Sequence, residues 1–276
     1  MSKTRQETVV FSRDTRHHHA LVVADNPRRE ERYLYSARKE AMQGGISLSD
    51  PDALIIEYNR AAFVSLAFLE KDPAAALFVG IGAGAMPRYF QRHYPRARVD
   101  VVEVDPDVVE VAKEFFFFRE TGRMRVHVAD GRRYIEETSA LYDMVFLDAY
   151  LGDAIPRHLA TAEFLAQARD ILTDRGILVS NVISGRGNRH FQSMLETHAR
   201  VFPHLYVFRC SWSGNHILVA SRDARKRTQG EIRRRSQRLM GRKELGLDLL
   251  KTNKHFRDYA DIRTPDGRHV LLDEAR

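Results

Sequence analysis

From residue 75 onward, short apolar segments alternate with segments of helical periodicity, and this alternation restricts the fold more than any other feature of the chain. The apolar segments are near-continuous runs of Val, Ile and Leu, which are typical of strands buried on both faces. The pattern therefore predicts an α/β fold with a parallel sheet between two layers of helices. The predicted strands are Ala75–Val79, Val99–Val104, Met124–Ala129, Met144–Leu147 and Gly176–Ile183. The predicted helices are Ala85–His93, Pro106–Phe118, Arg132–Ser139, Thr161–Leu172 and Asn188–Phe202. A closing hairpin is predicted at Leu205–Cys210 and His216–Ala220.

The residues before this region have a different pattern. Thr8–Phe11, His19–Ala24 and Arg32–Ser36 are short, β-prone and separated by polar turns, which predicts a small antiparallel sheet. Asp50–Leu69 is predicted to be one helix with Asp50 as its cap. We therefore expect three parts, namely an N-terminal β-sheet and helix module at 1–70, a Rossmann-like domain at 71–222 and a basic helical tail at 223–276.

Composition excludes several classes of protein. The chain has 276 residues, of which 43% are hydrophobic, and it has no apolar run long enough to cross a bilayer and no signal peptide pattern at its N-terminus. We therefore expect a cytoplasmic protein without a membrane partner. The single cysteine, Cys210, excludes an intramolecular disulfide and a cysteine-rich zinc site. His17, His18 and His19 are consecutive, so neighbours on a strand point to opposite faces, and no metal site is predicted there.

The positive charge of the chain is concentrated in one segment. Residues 222–243 contain ten Lys or Arg and only two acidic residues, so this segment alone accounts for the net charge of +7. The favoured interpretation is the solvated face of a helix. Contact with a nucleic acid or another anionic partner is the less favoured alternative.

Candidate chemistry follows the strands at their carboxyl ends, which is where ligands bind to open parallel sheets. Gly80, Gly82 and Gly84 follow the first strand, and Glu103 ends the second, where it is placed to accept hydrogen bonds from ribose hydroxyls. Asp130 and Gly131 follow the third strand and are suited to an adenine edge, and Asp148 follows the fourth. These strand ends together predict a nucleoside-binding site.

Two ligand classes fit a glycine-rich turn with an acid about twenty residues later. A dinucleotide needs a pyrophosphate on the first helix N-terminus, whereas S-adenosylmethionine has no phosphate and directs its sulfonium toward the fourth strand. Acids after both the third and the fourth strands favour S-adenosylmethionine. A dinucleotide enzyme remains a distant alternative.

Five segments carry a specific resemblance. VGIGAGAMPR, VVEVDPDVVEVAKEFF, VADGRRYI and YDMVFLDAYLGDAIP resemble, in order and spacing, the spermidine synthase family of class I S-adenosylmethionine-fold transferases. AMQGGISLSDPDALIIEYNRA is similar to part of the N-terminal domain of that family, so the likeness extends over most of residues 8–222. The resemblance implies a seven-stranded sheet, frequent homodimers and transfer of an aminopropyl group to a small-molecule polyamine.

The same resemblance implies roles for individual residues. Asp148 matches the aspartate that accepts a proton from the attacking amine, and it is the predicted catalytic residue. The residues predicted to bind the cofactor are Gln43, Gly80, Gly82, Gly84, Glu103, Asp130, Gly131 and Pro156. The residues predicted to line the substrate pocket are Tyr58, Asn59, Tyr150, Asp153 and Trp212.

Two departures from the family pattern change the expected cofactor. Ala83 stands where aminopropyltransferases have an aspartate that binds the ammonium of decarboxylated S-adenosylmethionine. A second family aspartate, three residues after Asp148, is replaced by Leu151. An ammonium group without its carboxylate is costly to bury, so ordinary S-adenosylmethionine becomes the favoured cofactor.

These observations favour a methyltransferase that acts on a small amine or hydroxyl nucleophile. The first alternative is a polyamine aminopropyltransferase that uses decarboxylated S-adenosylmethionine, with Asp153 and Glu57 in place of the missing carboxylates. The second is a non-catalytic protein that senses a nucleoside or docks on nucleic acid through residues 222–243.

Overall fold

Two β-sheets organise the residues that the computed structural model describes, which are 7–36, 41–150, 155–184, 190–259 and 270–274. The smaller sheet is antiparallel, with strands in the order β1-β2-β3-β4. Its strands are β1 (Thr8–Thr15), β2 (His19–Asn26), β3 (Glu31–Ser36) and β4 (Ala41–Ser47). The three predicted N-terminal strands are confirmed, and each lies within one of the first three strands.

Strand β4 was not predicted, because its sequence AMQGGIS contains two adjacent glycines, which are poor strand formers. The contact between the two sheets explains why one of these residues is glycine. A Cβ atom at Gly44 would lie 2.8 Å from the Cβ of Ala83, which belongs to the turn after the first strand of the other sheet. The absence of a side chain at Gly44 therefore lets the two sheets approach each other at this point.

The predicted helix Asp50–Leu69 is wrong in its first part. The structure has helix α1 at Glu57–Ala62, followed by a 3₁₀ helix at Phe63–Phe68. Asp50 lies in a turn, where its carbonyl accepts from the Ala53 N–H at 2.9 Å. Asp52 forms ion pairs with two arginines of the following domain, and one of these, with Arg92, spans 3.2 Å. Tertiary ion pairs thus hold residues 50–52 outside the helix.

The larger sheet has eight strands in the order β12-β10-β11-β9-β8-β5-β6-β7. Strands β5 to β9 pair in parallel, and β10, β11 and β12 join the sheet in antiparallel pairs. The chain moves outward from β5 to β7 on one side and then continues with β8 on the other side of β5. The pair β5 and β8 therefore forms the topological switch point, which is where such sheets bind ligands. The strands are β5 (Ala75–Val79), β6 (Arg98–Glu103), β7 (Met124–Val128), β8 (Tyr142–Leu147), β9 (Leu172–Ile183), β10 (His204–Arg209), β11 (Asn215–Ser221) and β12 (Phe256–Asp258).

Helices cover both faces of the larger sheet, as the apolar pattern predicts. One face packs Phe78 and Phe146 against Phe63 and Phe90, and the other packs Leu77 and Val145 within a second apolar cluster. The helices that follow α1 are α2 (Ala85–His93), α3 (Pro106–Phe115), α4 (Gly131–Glu137), α5 (Ala162–Asp170), α6 (Phe191–Val201), α7 (Gln229–Arg242) and α8 (Leu249–Asn253). None of the helices in the described ranges combines the length and apolar character needed to cross a lipid bilayer.

The C-terminal region is more than a helical tail. It contains α7 and α8, and it also supplies β12, which pairs with β10 and makes the sheet eight-stranded where the resemblance implied seven. A strand of three residues has too little pattern to be recognised in the sequence.

Most of the basic segment 222–243 serves to attach α7 to the rest of the protein. Arg227 is buried and pairs with Glu70 and Asp223, both at 3.2 Å, and Arg235 donates to the backbone carbonyl of Ala67 at 2.6 Å. In the described ranges, three arginines of α7 are exposed and have no ion pair: Arg233, Arg234 and Arg238. The helix predicted in this segment is confirmed as α7, and contact with a nucleic acid through its exposed arginines stays a prediction.

Candidate active site

A cavity of about 780 Å³ opens at the carboxyl ends of β5, β6 and β8, next to the switch point. Its lining includes the predicted strand-end residues Gly80, Glu103, Asp130 and Asp148. The N-terminal sheet and α1 form the opposite wall. From that side the lining includes His18, Leu21, Tyr33, Met42, Gln43 and Tyr58. The structure thus brings the four strand ends together in one cavity, as the sequence predicts.

The backbone turn at Gly80 explains why glycine is required there. Gly80 has a φ of +96°, and a Cβ atom on it would lie 2.4 Å from the backbone oxygen of Asp148. Any side chain would therefore be strained and would push β8 away from β5. The Gly80 N–H donates to the carbonyl of Val102 at 2.8 Å, which anchors the turn to β6. Gly80 and Gly82 both line the cavity, so the bare backbone faces its interior.

Glu103 at the end of β6 is buried and supports the glycine turn. Its Oε2 accepts from the Ile81 N–H at 3.0 Å, and its Oε1 accepts from the Asp105 N–H at 3.0 Å. Burial raises the pKa of Glu103, although these backbone hydrogen bonds lower it in part. Each oxygen has a second lone pair that can accept from a ribose hydroxyl, so the geometry is compatible with the predicted role.

Asp130 at the start of α4 has two structural partners. Its Oδ1 accepts from the backbone N–H groups of Arg132 and Arg133 at 3.0 and 3.1 Å, so it caps the helix, and its Oδ2 contacts His158 Nε2 at 2.8 Å. Burial alone would raise the pKa of Asp130, but the hydrogen bonds from Arg133, His158 and Arg132 lower it. Gly131 and Pro156 line the cavity beside this carboxylate.

Asp148 lies at the end of β8 and has the most distinctive environment. Asn181 Nδ2 donates to Asp148 Oδ1 at 2.8 Å, and the Tyr58 hydroxyl of α1 also interacts with the carboxylate. Burial raises the pKa of Asp148 to about 6, and the contacts with Asn181 and Tyr58 lower it in part. A carboxylate with a pKa near neutrality is suited to accept a proton at physiological pH.

Tyr150 lines the cavity, but its hydroxyl is occupied by the backbone of β9. It donates to the carbonyl of Asn181 at 3.0 Å and accepts from the Ile183 N–H at 3.0 Å. These two bonds attach the segment after β8 to the end of β9. Tyr150 therefore supports the wall of the cavity with its hydroxyl and offers its ring to a substrate.

Glu57, the first residue of α1, holds the loop between β10 and β11. Its two carboxylate oxygens accept from the backbone N–H groups of Ser211 and Trp212 at 2.6 and 2.8 Å. Trp212 lines the cavity, and 85% of its surface is nevertheless exposed. The structure thus places Trp212 at the rim of the cavity on a loop that is fixed through its backbone.

We expect Glu57→Gln to loosen this loop. The amide can accept only one of the two N–H groups, and its own N–H₂ opposes the other, which costs on the order of 1 kcal/mol of loop attachment. Trp212 is the only tryptophan in the chain, so its fluorescence anisotropy reports on the loop directly and is expected to fall. Glu114→Gln, at an exposed position of α3, is the matched control and should leave the anisotropy unchanged. An unchanged anisotropy in Glu57→Gln would contradict this role.

Three predicted site positions need correction or lie outside the structure. Gly84 does not line the cavity: it precedes α2 and packs against Phe118, whose side chain leaves no room for a Cβ atom. Asn59 is 3% exposed and also does not line the cavity, since one residue along a helix rotates it about 100° away from Tyr58. Asp153 lies outside the described residues.

Ala83 is 2% exposed and packs against β4 instead of lining the cavity. The turn therefore has neither a carboxylate nor, in this packing, space for one. The close approach of Gly44 gives a packing reason for the small side chain at Ala83.

Sequence reasoning missed a role for His18. Its ring lines the cavity, is 5% exposed, and has an Nδ1 atom without a hydrogen-bond partner among the described residues. Burial lowers the pKa of His18, so it faces the cavity as a neutral ring. The signal in the sequence is the triplet of histidines at 17–19, whose pattern does not show which of the three rings faces a cavity. The described ranges contain no cluster of His, Cys, Asp or Glu that is suited to hold a metal ion.

Comparison with protein-family models identifies a match to the spermine/spermidine synthase domain over residues 46–210. Among curated proteins, the polyamine aminopropyltransferase of Vibrio vulnificus is 32% identical over 192 residues, which are 67% of this chain and 63% of that protein. The human eEF1A lysine and N-terminal methyltransferase is 33% identical over 187 residues, which are 61% of this chain and 27% of that protein. The chain therefore spans less than two thirds of the length of either relative.

Among solved structures, human methyltransferase-like protein 13 in complex with SAH is similar, with a TM-score of 0.62 and 30% identity. The match covers 67% of this chain and 91% of that one. The relatives thus include transferases of two kinds, one that moves aminopropyl groups and one that moves methyl groups.

Proposed function

The chain belongs to the spermine/spermidine synthase domain family, and on this premise we propose that it transfers a methyl group from S-adenosylmethionine to an amine. S-adenosylmethionine supplies an electrophilic methyl carbon on a sulfonium, and an amine nitrogen forms a bond to that carbon as the bond to sulfur breaks. The proposal rests on which of the carboxylates around the cavity already have partners within the protein.

The acidic residues in the described lining are Glu57, Glu103, Asp130 and Asp148. Glu57 uses both oxygens on the loop of Trp212, and Glu103 uses one oxygen on the glycine turn at Ile81 and the other on the backbone of Asp105. Asp130 caps α4 and pairs with His158. With Glu103 assigned to the ribose hydroxyls and Glu57 and Asp130 to these structural contacts, Asp148 is the carboxylate that would receive an amine, and the described lining offers no further carboxylate for a second ammonium group. Decarboxylated S-adenosylmethionine carries such a group, which is costly to bury without a partner.

Two arginines, Arg29 and Arg60, line the same cavity, where Arg60 donates to backbone carbonyls before α1 and Arg29 lies 3.8 Å from the carboxylate of Glu31. Ordinary S-adenosylmethionine carries an amino acid carboxylate that these cations can attract. The balance of charge around the cavity therefore supports the carboxylated cofactor over its decarboxylated form.

The residues of the chain also support a division of roles. Gly80, Gly82 and Glu103 would hold the cofactor along the end of β5 and β6, with Asp130, Gly131 and Pro156 at its base. Tyr58 and Tyr150 would position the acceptor, and Asp148 would take the proton that the amine nitrogen loses. An amine is favoured over a hydroxyl because a carboxylate with a pKa near 6 can deprotonate an ammonium far more readily than an alcohol. The human relative is named for amine acceptors, a lysine and an N-terminus, which agrees with this choice.

The second candidate function is aminopropyl transfer, which is favoured by the similarity to the polyamine aminopropyltransferase. The described lining has too few carboxylates for that reaction, because Glu57 is bound to the loop of Trp212 and cannot replace a missing anchor without releasing that loop.

Isothermal titration calorimetry with the two cofactors separates the candidates. We expect S-adenosylmethionine to bind at least about tenfold more tightly than its decarboxylated form, which corresponds to about 1.4 kcal/mol. Sinefungin, which keeps the amino acid carboxylate, serves as a positive control. A tenfold preference for the decarboxylated compound would overturn the proposal in favour of aminopropyl transfer.

A further inference from the structure

Asp148 is the end of a chain of side-chain amides that passes through two neighbouring strands. Asn181 of β9 donates from Nδ2 to Asp148 Oδ1 at 2.8 Å, and Asn215 of β11 donates from Nδ2 to Asn181 Oδ1 at 2.8 Å. Both asparagines are buried. We propose that Asn215 is a positioning residue that fixes the direction of the Asn181 amide, so that its N–H and not its C=O faces the Asp148 carboxylate. The inference rests on the proposed role of Asp148 as the proton acceptor.

The proposal follows from the shape of a carboxamide. Its two ends are nearly equal in size, but one donates and the other accepts, so packing alone does not select the direction in which Asn181 points. The N–H of Asn215 selects it from one side, because that donor requires the oxygen of Asn181, and the ionised Asp148 carboxylate, which can only accept, selects the same direction from the other side. The N–H₂ group of Asn181 is then left to face Asp148.

Asn215 is itself held in place by the backbone around it. It pairs with Ile183 in the ladder between β11 and β9, and its carbonyl accepts from the Cys210 N–H at 2.9 Å. The adjacent carbonyl of Gly214 accepts from the Ser184 N–H at 2.8 Å. The Cα atom of Asn215 therefore has a fixed position, from which its side chain reaches Asn181.

The other groups that face Asp148 do not replace this donor. Tyr58 from α1 interacts with the carboxylate, Tyr150 follows β8 with its hydroxyl bound to the β9 backbone, and Cys210 at the end of β10 lies near Tyr58. Among the described residues, no lysine, arginine or histidine forms an ion pair with Asp148. Asn181 and Tyr58 are thus the neutral donors that oppose the effect of burial on this carboxylate, and Asn181 is the one of the two that Asn215 contacts.

A reversed Asn181 amide would change the charge of Asp148. The carbonyl oxygen would then face the carboxylate and favour its protonated form, because that form can donate to the oxygen. Below its pKa the protonated Asp148 cannot accept a proton from an amine, so reversal would shift the active range of the enzyme to higher pH.

The test is a direct titration of Asp148 by ¹³C NMR of its side-chain carboxyl carbon in the full chain, assigned with Asp148→Asn. Asn181→Leu removes the donor and is expected to raise the pKa of Asp148 by about one unit. Asn215→Leu keeps the Asn181 amide but removes the contact that fixes its direction, and we expect the pKa of Asp148 to rise by about half a unit or more. Asn215→Ser provides the same test if the leucine variant does not fold.

The double variant separates a positioning role from a structural one. If Asn215 acts through Asn181, adding Asn215→Leu to Asn181→Leu produces no further rise, since the amide through which it acts is already gone. Asn253→Leu in α8, which removes a buried amide hydrogen bond to Ser236 of α7, is the control and should leave the titration unchanged. An unchanged pKa in Asn215→Leu, or an equal shift in both backgrounds, would overturn the inference.

The outcome is independent of whether the chain is a methyltransferase, because the titration requires no turnover. If methyl transfer is observed, the pH dependence of kcat in Asn215→Leu should move upward by the same amount as the NMR pKa. A shifted NMR pKa without any methyl transfer would reject the proposed function and leave the amide chain standing.

Discussion

Asp148→Asn is expected to lower kcat for methyl transfer by about 10²–10⁴-fold, because the amide cannot accept the proton that the acceptor nitrogen loses. The dissociation constant for S-adenosylmethionine should stay nearly unchanged, since the amide oxygen still accepts from Asn181 and the glycine turn is not altered. The measurement is transfer of a labelled methyl group to a panel of free polyamines, lysine-containing peptides and peptides with a free N-terminus. In the wild-type protein the rate should rise with pH as Asp148 ionises with a pKa of about 6.

The matched control is Asp143→Asn at the opposite end of β8. Asp143 accepts from the backbone N–H of Ala74 at 2.7 Å and from the Thr173 hydroxyl at 3.1 Å, far along the strand from the cavity. Its replacement is expected to lower stability and to leave kcat of the folded protein close to that of the wild type. A wild-type rate in Asp148→Asn would reject Asp148 as the proton acceptor, and equal losses in both variants would point to a general defect in β8.

The sequence predicted the parts of the fold that depend on local pattern. Strands β5, β6 and β8 are mostly apolar segments between glycine or polar turns, and topology alone then brings their carboxyl ends to one edge of the sheet. For this reason the convergence of Gly80, Glu103 and Asp148 was predictable without any knowledge of side-chain contacts.

The parts that were missed depend on contacts between distant segments. The helix predicted at Asp50–Leu69 begins only at Glu57 because Asp52 pairs with arginines of α2, and no local signal reveals such pairs. Glu57 meets Ser211 across 154 positions of the chain, and Asn215 meets Asn181 across 34. Such contacts can be assigned only when the strand order is known. They determine which candidate residues of the site donate hydrogen bonds and which accept them.

Asp148→Asn is also expected to make the folded protein more stable at pH 8, although it removes activity. The pKa of Asp148 is raised by burial to about 6 in the folded state, whereas an unfolded aspartate titrates near 3.9. The folded state therefore binds this proton more tightly, and ionisation of Asp148 lowers the free energy of unfolding. This loss of stability is absent at low pH, develops between about pH 4 and pH 6, and is fully present above pH 6. The neutral amide avoids this cost, so the free energy of unfolding of the variant relative to wild type should increase by about 2–3 kcal/mol between pH 4 and pH 8.

Urea denaturation at the two pH values measures this difference, and Asp130→Asn provides a comparison of opposite sign. The pKa of Asp130 is lowered in the folded state by its hydrogen bonds to Arg133, His158 and Arg132, against the effect of burial, so its carboxylate stabilises the fold above the unfolded pKa and loses that contribution as the pH falls. Asp130→Asn should therefore be less stable than wild type at pH 8, with a smaller deficit at low pH.

If the stability difference between Asp148→Asn and wild type were the same at both pH values, the pKa of Asp148 would be close to that of an aspartate in the unfolded chain. The carboxylate would then be too weak a base for the proposed reaction, because the buried environment that destabilises the fold is the same one that makes Asp148 able to accept a proton near neutral pH.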